Sequence, residues 1–312
     1  MRALRVVTED GPSAVELHDV PEPTGELIVA VRAAAVAFPD VLMTRGKYQI
    51  RQNLPFTLGW EAAGDVIRAP AGGPFAVGDR VMTLSFGAHA EQVVAYPEAT
   101  FALPDALTYE EGAAFPLNYL TALAALERRG RLVPGERVLV HGAAGGVGTA
   151  TIQVGKALGA HVIASVSTED KAQVAWAAGA DEVVVGDDFR AGLSGPVHLI
   201  IDSVGGTERF KESLRSLVPE GRLVVVGFAG GEIPEVRVNR LLIGNVDVIG
   251  CSFNILATEA SGLADAMARL TELVGTGALR PVIGSTYPLE QGAEGLREID
   301  ERRATGKVIL TV

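Results

Sequence analysis

From Met1 to about Pro104 the apolar positions fall in short runs cut off by Gly, Pro and Asp, such as Leu27–Ala35, Ala62–Ile67, Arg80–Leu84 and Ala90–Ala95. Runs of that length, with no sustained helical period, predict a β-rich domain. The pattern changes after Thr108. Residues 109–128 space Ala113, Leu117, Leu120, Leu123 and Ala124 as one face of a helix does. Strands and helices then alternate through Arg137–His141, Val147–Leu158, His161–Ser165, Asp170–Ala178, Glu182–Val185, Leu199–Asp202, Thr207–Leu217 and Leu223–Gly227. The wholly apolar strands Val138–Val140 and Val224–Val226 predict a parallel sheet buried on both faces. From about Ser252 the pattern adds a helix, Leu263–Val274, and a last strand, Lys307–Val312, that returns to the first domain. The expected fold is α/β: a β-rich domain over 1–112 completed by 253–312, with a domain of alternating strands and helices inserted over 113–252.

A chain of 312 residues, 48% of them hydrophobic, has room for two cores. Its formal net charge of −11 comes with no basic stripe, which argues against nucleic acid and anionic membranes as partners. Cys251 is the one cysteine, so neither an internal disulfide nor a multi-cysteine zinc site can form. The N-terminal MRALRVVTEDG breaks off before any signal-peptide hydrophobic region. No apolar run approaches the ~20 residues of a spanning helix. The expectation is a soluble, cytoplasmic protein.

The most specific motif lies in Arg137–Leu158, where a buried strand runs into AAGGVG (Ala143 to Gly148) and a helix opens at once. Glycines let the backbone turn sharply and approach a pyrophosphate, and the free N–H groups at the helix start attract the anion. Gly145, Gly146 and Val147 are the expected cradle. The choice of dinucleotide falls at the end of the next strand, where an NAD site carries an acid for the ribose. Val166 stands there, followed by Ser167, Thr168 and Lys171, which suit a 2′-phosphate. The reading is NADPH, with Ser167 and Lys171 on the phosphate. Glu169 or Asp170 could also serve as the acid, and Ser167 and Thr168 could instead cap the next helix.

With these residues in view, the chain resembles the medium-chain dehydrogenase/reductase superfamily, and within it the quinone oxidoreductase family. The likeness is carried by AFPDVLMTRGKYQ (Ala37–Gln49), LGWEAAGDV (Leu58–Val66), VGDRV (Val77–Val81), EGAAFPLNYLTAL (Glu111–Leu123), LVHGAAGGVG, DSVGG (Asp202–Gly206), GRLVVVGF (Gly221–Phe228) and GKVIL (Gly306–Leu310). The resemblance implies a Rossmann domain inserted in a GroES-like catalytic domain, with the active site in the cleft between them. The superfamily's zinc alcohol dehydrogenases take catalytic zinc on a Cys near the start of the first stretch and on the His of a Gly-His-Glu triplet. Ala37 and Trp60 (in Gly59-Trp60-Glu61) occupy those positions here, and neither binds zinc. His141, at the end of a buried strand, reads as a core residue. Without a Lewis acid the chemistry favours acceptors already activated by conjugation, such as a quinone or an enone.

The resemblance also implies roles. Thr121 lies where the family's helix meets the nicotinamide side. Gly227, Phe228 and Phe253 fall where the family's chain passes the nicotinamide. Lys307 is a family-typical cofactor contact, or else a solvated strand-edge lysine. Phe38, Tyr48 and Trp60 are expected to line the substrate site, each with a core role as the alternative. Tyr48 is the candidate proton donor, with water as its alternative. The family departs from this chain at Ala37, where many members carry Asn, and at Gly186, where many carry a Tyr on the 2′-phosphate. An enoyl-thioester reductase and a non-catalytic NADPH-binding protein are the competing readings. The apolar segment Val246–Cys251, at the open end of the α/β unit, predicts a homodimer joined edge to edge.

Overall fold

A computed structural model describes residues 1–253 and 260–312 of the protein. The chain divides into two compact units: Met1–Leu117 with Ala260–Gly275 and Arg280–Val312, and Asn118–Glu259 with Thr276–Leu279.

Among the described residues the first unit is built on a seven-stranded sheet. Its ordered strands are β3 (Ile28–Val36), β5 (Glu61–Arg68), β6 (Arg80–Leu84), β8 (Thr100–Ala102), β15 (Ile283–Pro288) and β16 (Lys307–Thr311), in the order β15-β16-β3-β5-β6-β8. β7 (Gln92–Val94) pairs β3 beside that path. The C-terminal strand lies antiparallel against β3, with Val308 opposite Val36, so the last residues of the chain complete the first unit's sheet. A smaller sheet holds β1 (Arg2–Val6) between β2 (Val15–Asp19) and β4 (Phe56–Thr57). Leu4, Val36, Val41, Leu58, Leu296, Val308 and Leu310 form one apolar core there, against which Tyr48, Trp60 and Phe86 pack.

In the second unit six parallel strands are ordered β11-β10-β9-β12-β13-β14, from β9 (Arg137–His141), β10 (His161–Val166), β11 (Glu182–Val185), β12 (Val197–Asp202), β13 (Leu217–Val225) and β14 (Asp247–Gly250). The order steps outward from β9 in one direction and then from β12 in the other. The crevice beyond the carboxyl ends of β9 and β12 is therefore the topological switch point, where open α/β sheets bind ligands. Val138, Leu139 and Val140 are all buried, as strands covered on both faces require.

The helical spacing over 109–128 resolves into three pieces rather than one helix: Tyr109–Ala114, Pro116–Leu123 and a π-helical turn Ala124–Arg129. Pro116 causes the first break, since it lacks an N–H and crowds the residue before it. The opening helix is fixed by a capping box. The Glu111 N–H donates to Thr108 Oγ1 at 3.2 Å, and the Thr108 N–H to Glu111 Oε2 at 2.9 Å. β13 begins at Leu217, earlier than the sequence pattern placed it.

Candidate functional site

The glycine-rich segment does what its composition demands. β9 ends at His141, Gly142 turns at φ +64, and the helix Gly146–Ala157 starts from the N-cap Gly145. Gly142 is in the left-handed region, where a side chain is strained. Gly148 is required for a different reason: a Cβ there would lie 2.2 Å from the Gly142 carbonyl oxygen and 2.6 Å from Ala143 Cα. Its bareness lets the first helical turn sit directly on the strand-to-helix loop. The opening N–H groups of a helix have no intrahelical acceptor, so those of Gly146, Val147 and Gly148 are available to an anion. The cradle therefore fits a pyrophosphate.

Two further turns meet this loop at the same edge of the sheet. Asp202, the last residue of β12, is fully buried, and its Oδ1 accepts the N–H groups of Val204 (2.8 Å) and Gly205 (3.0 Å). Burial pushes its pKa up, against the lowering effect of those donors. The turn it shapes leans on the glycine loop: Ser203 Oγ donates to the His141 carbonyl at 3.2 Å, and Val204 lies close enough that a Cβ on Gly142 would come within 2.9 Å of it. The segment after β13 is tied to the same turn, through Val226 N–H to Asp202 O (2.8 Å), Ala229 N–H to Ser203 O (3.0 Å) and Gly230 N–H to Val204 O (2.8 Å). Gly227 and Phe228, both half-buried, are carried by that segment. Gly142, Gly148 and Asp202 were not singled out from the sequence. The signals were present in the HGAAGGVG and DSVGG stretches, as the outer glycines of the motif and an acid closing an apolar strand.

At the end of β10, Ser167 is exposed and Lys171 half-exposed. Thr168 caps the helix Glu169–Ala177, its side chain accepting the Lys171 N–H. Capping thus falls to Thr168, and the Ser167 side chain stands at the strand end. Gly186, past the end of β11, turns at φ +100. Thr121 is buried on Pro116–Leu123, and Phe253 follows β14 half-buried. His141 is fully buried, with Nε2 2.8 Å from Ser213 Oγ and its ring edge-on to Phe189. Ser213 donates to the Arg209 carbonyl (2.8 Å), so His141 Nε2 is the donor of the pair. Burial, aided by the charge of Arg209, lowers its pKa to about 3. His141 is a core residue, as the sequence indicated.

In the first unit, Ala37 caps the short helix Phe38–Met43, which places half-buried Phe38 at its first position. Tyr48 and Trp60 make an edge-on aromatic pair (5.7 Å between centroids), and Trp60 makes a second with Phe86 (5.3 Å). Tyr48 also lines a small cavity with Met43, Ile50, Arg51, Gln52 and Phe56. Lys307 is not solvated. It is 5% exposed, and its Nζ lies 2.6 Å from Oε1 of the fully buried Glu61. Glu61 Oε2 accepts the Leu117 N–H at 2.8 Å. Desolvation pushes the Glu61 carboxyl pKa up, opposed mainly by Lys307. Asp40, also fully buried, accepts the Ala37 N–H (2.8 Å) on Oδ2 and the Gly59 N–H (3.1 Å) on Oδ1.

Comparison with known proteins agrees with this architecture. Residues 23–105 match the alcohol dehydrogenase GroES-like domain, and residues 146–271 match the zinc-binding dehydrogenase domain. Quinone oxidoreductase-like protein 2 of Bos taurus is 36% identical over 98% of this chain and 89% of its own. The chain belongs to the medium-chain dehydrogenase/reductase superfamily, in its quinone oxidoreductase family. A second member of the family, the quinone oxidoreductase of Homo sapiens, is 34% identical over 99% of this chain and 97% of its own. Among solved structures, mycobacterial Rv1454c complexed with NADPH superposes with a TM-score of 0.93 at 32% identity, over the whole of both chains. The quinone oxidoreductase fold, a GroES-like unit with a Rossmann-type unit inserted in its sequence, is thus the fold of this chain.

Proposed function

We propose that the protein is an NADPH-dependent, zinc-independent oxidoreductase that reduces a quinone or another α,β-unsaturated carbonyl compound. The observation that carries the reading is the cradle at the switch point, where the opening N–H groups of the helix Gly146–Ala157 are held directly on the end of β9 by the close backbone packing that Gly142 and Gly148 permit. The dinucleotide-bound relative supports the same reading. Gly145, Gly146 and Val147 would hold the pyrophosphate. Ser167 and Lys171 would take the 2′-phosphate, and Thr121, Gly227, Phe228 and Phe253 the nicotinamide side. Bound NADPH supplies the hydride.

Zinc independence rests on Ala37 and Trp60 at the positions where zinc relatives ligate the metal. Conjugated acceptors suit that arrangement, because hydride adds to carbon and the distant oxygen takes the charge, then a proton. Phe38, Tyr48 and Trp60 would face the substrate, and the Tyr48 hydroxyl or water would deliver the proton. Lys307 enters this scheme through Glu61 as well as through any cofactor contact. We further propose a homodimer formed along β14, a cytoplasmic location, and domain limits at 112 and 253. Among the described residues no helix is long and apolar enough to cross a membrane.

The test is loss of reduced-nicotinamide absorbance with 9,10-phenanthrenequinone, 1,4-naphthoquinone, an alkenal and crotonyl-CoA, with and without a chelator. Quinone turnover that survives chelation is expected. Turnover confined to crotonyl-CoA, or abolished by the chelator, would overturn the reading. Lys171→Ala should raise the KM for NADPH about 10- to 150-fold while leaving NADH little changed, the cost of one charge-assisted phosphate contact. Equal effects on both cofactors would remove Lys171 from the site.

A further inference from the structure

β3 and β5 run antiparallel with Ala33 opposite Ala63 and Ala34 opposite Ala62, and their pairing stops there. Continued in register, that ladder would set Ala37 opposite Gly59. The backbones have parted by then, because β3 ends at Val36, whose other edge stays paired with Val308 of β16, and the chain turns into the helix Phe38–Met43. The two orphaned N–H groups, of Ala37 and Gly59, are both received by the Asp40 carboxylate. A side chain thus stands in for the missing ladder and pins the two chain ends to each other. Its placement is tightly constrained. Asp40 is fully buried, and Gly59 sits at φ +102 with the His89 backbone nitrogen 2.5 Å from where a Cβ would be. The residues immediately after the two pinned amides are Phe38 and Trp60. On its other side Trp60 is followed by Glu61, itself anchored by Lys307 and the Leu117 N–H.

We propose that Asp40 is a positioning residue of the active site, a buried carboxylate staple that sets Phe38 and Trp60 against the substrate. The proposal rests on the reading above of those two aromatics as substrate-lining. A carboxylate is suited to the task because both oxygens accept, whereas an amide presents an N–H to one of the two donors and repels it. Asp40→Asn therefore frees one chain end while keeping size and shape. Trp60 and Trp176 are the two tryptophans. Trp176 lies half-exposed on a helix of the second unit, so Trp176→Phe leaves Trp60 as the sole fluorophore.

In that background, Asp40→Asn should shift Trp60 emission to the red and raise the KM for 9,10-phenanthrenequinone about 5- to 20-fold, with the Kd for NADPH within twofold of the parent. A purely structural role would weaken NADPH binding and substrate binding together. An unshifted Trp60 spectrum with an unchanged KM, or an equal loss of NADPH affinity, overturns the proposal. If the parent reduces no quinone while the emission shift is present, the staple stands and the substrate reading falls. Should Asp40→Asn fail to fold, amide exchange on the unaltered protein decides. The Ala37 and Gly59 amides, though outside any ladder, should exchange as slowly as those of β3 and β5, and exchange at loop rates would overturn the staple.

Discussion

Gly145 and Gly148 lie three residues apart in one motif, and their surroundings predict different effects of alanine on stability. Gly148→Ala would put a methyl group 2.2 Å from the Gly142 oxygen and 2.6 Å from Ala143 Cα, all backbone. Ordinary contacts need about 3.5 Å, so loop and helix must part by roughly 1 Å. Overpacking of that kind costs ~1–3 kcal/mol. Alanine's better helix propensity offsets up to ~1 kcal/mol of it. The net loss is ~1–2 kcal/mol, which for a unit of this size lowers Tm by about 2–8 °C. Gly145 has an ordinary φ of −83, and the nearest atom to its added Cβ is the Gly142 oxygen at 3.5 Å. Alanine is a poorer N-cap than glycine, but it restricts the unfolded chain, and the two effects cancel to within ~0.5 kcal/mol.

Gly145→Ala should therefore melt with the parent and still bind NADPH more weakly, because the methyl group stands where the pyrophosphate approaches. Gly148→Ala should lose both stability and affinity. Calorimetry and a fluorescence titration with NADPH separate the cases. A Gly148→Ala protein that melts and binds like the parent would refute the close-packing argument, and a Gly145→Ala protein with undiminished affinity would refute the cradle.

Two other outcomes follow from buried or edge positions. The His141 pKa is held near 3 in the fold, below its unfolded value of about 6.5, so the unfolded chain takes up that proton first on acidification. Stability from the neutral ring is whole above pH ~6.5 and falls by up to ~1.4 kcal/mol per unit toward pH ~3. His141→Gln should flatten that limb in urea melts between pH ~7 and ~4, and curves parallel to the parent's would refute the assignment. β14 is the edge strand of the second unit's sheet and Val248 on it is 37% exposed, so Val248→Lys should split the proposed dimer. Light scattering that gives a monomer mass for the unaltered protein at micromolar concentration would end that proposal.

The parallel sheet was legible because strands buried on both faces must be apolar along their middles, and Val138–Val140 of β9 are so in sequence and in space. The glycine loop was legible because its physics is local, confined to one strand, one turn and one helix start. The break at Pro116 was less so, since the apolar spacing runs on through it while the missing N–H does not show in the spacing. Harder still were Asp40 and Glu61. An acid inside an apolar run reads as solvated or as a turn, and nothing nearby announces the partner. Glu61 meets Lys307 across 246 positions of chain, and Asp40 reaches Gly59 across 19. Such pairings depend on which strands become neighbours, and the hydrophobic pattern constrains that only loosely. Lys307 illustrates the point: its place in a terminal strand allows a solvated edge residue, and only the pairing of β16 with β3 puts it inside.

The two units reach precision by different physical means. In the second, close approach is obtained by removing side chains, so Gly142 and Gly148 are intolerant positions whose substitution moves backbone. In the first, backbone is held by buried acids, and the bonds that Asp40 accepts come from the main-chain N–H groups of Ala37 and Gly59. A main-chain donor is the same whatever side chain the residue carries. The staple is therefore indifferent to the side chain at 37 and to the one at 60, whose neighbour it holds. The side chains at those two places can therefore differ without altering the hydrogen bonds that hold the frame. That separation offsets the cost of retaining buried carboxylates, each several kcal/mol to desolvate, in a unit whose proposed substrate site is lined by aromatic rings. It also explains why the acids and the lysine matter as a set. Removing Glu61 or Lys307 leaves a buried charge uncompensated and removing Asp40 leaves two N–H groups without their acceptor, whereas altering Trp60 leaves every hydrogen bond of the frame in place.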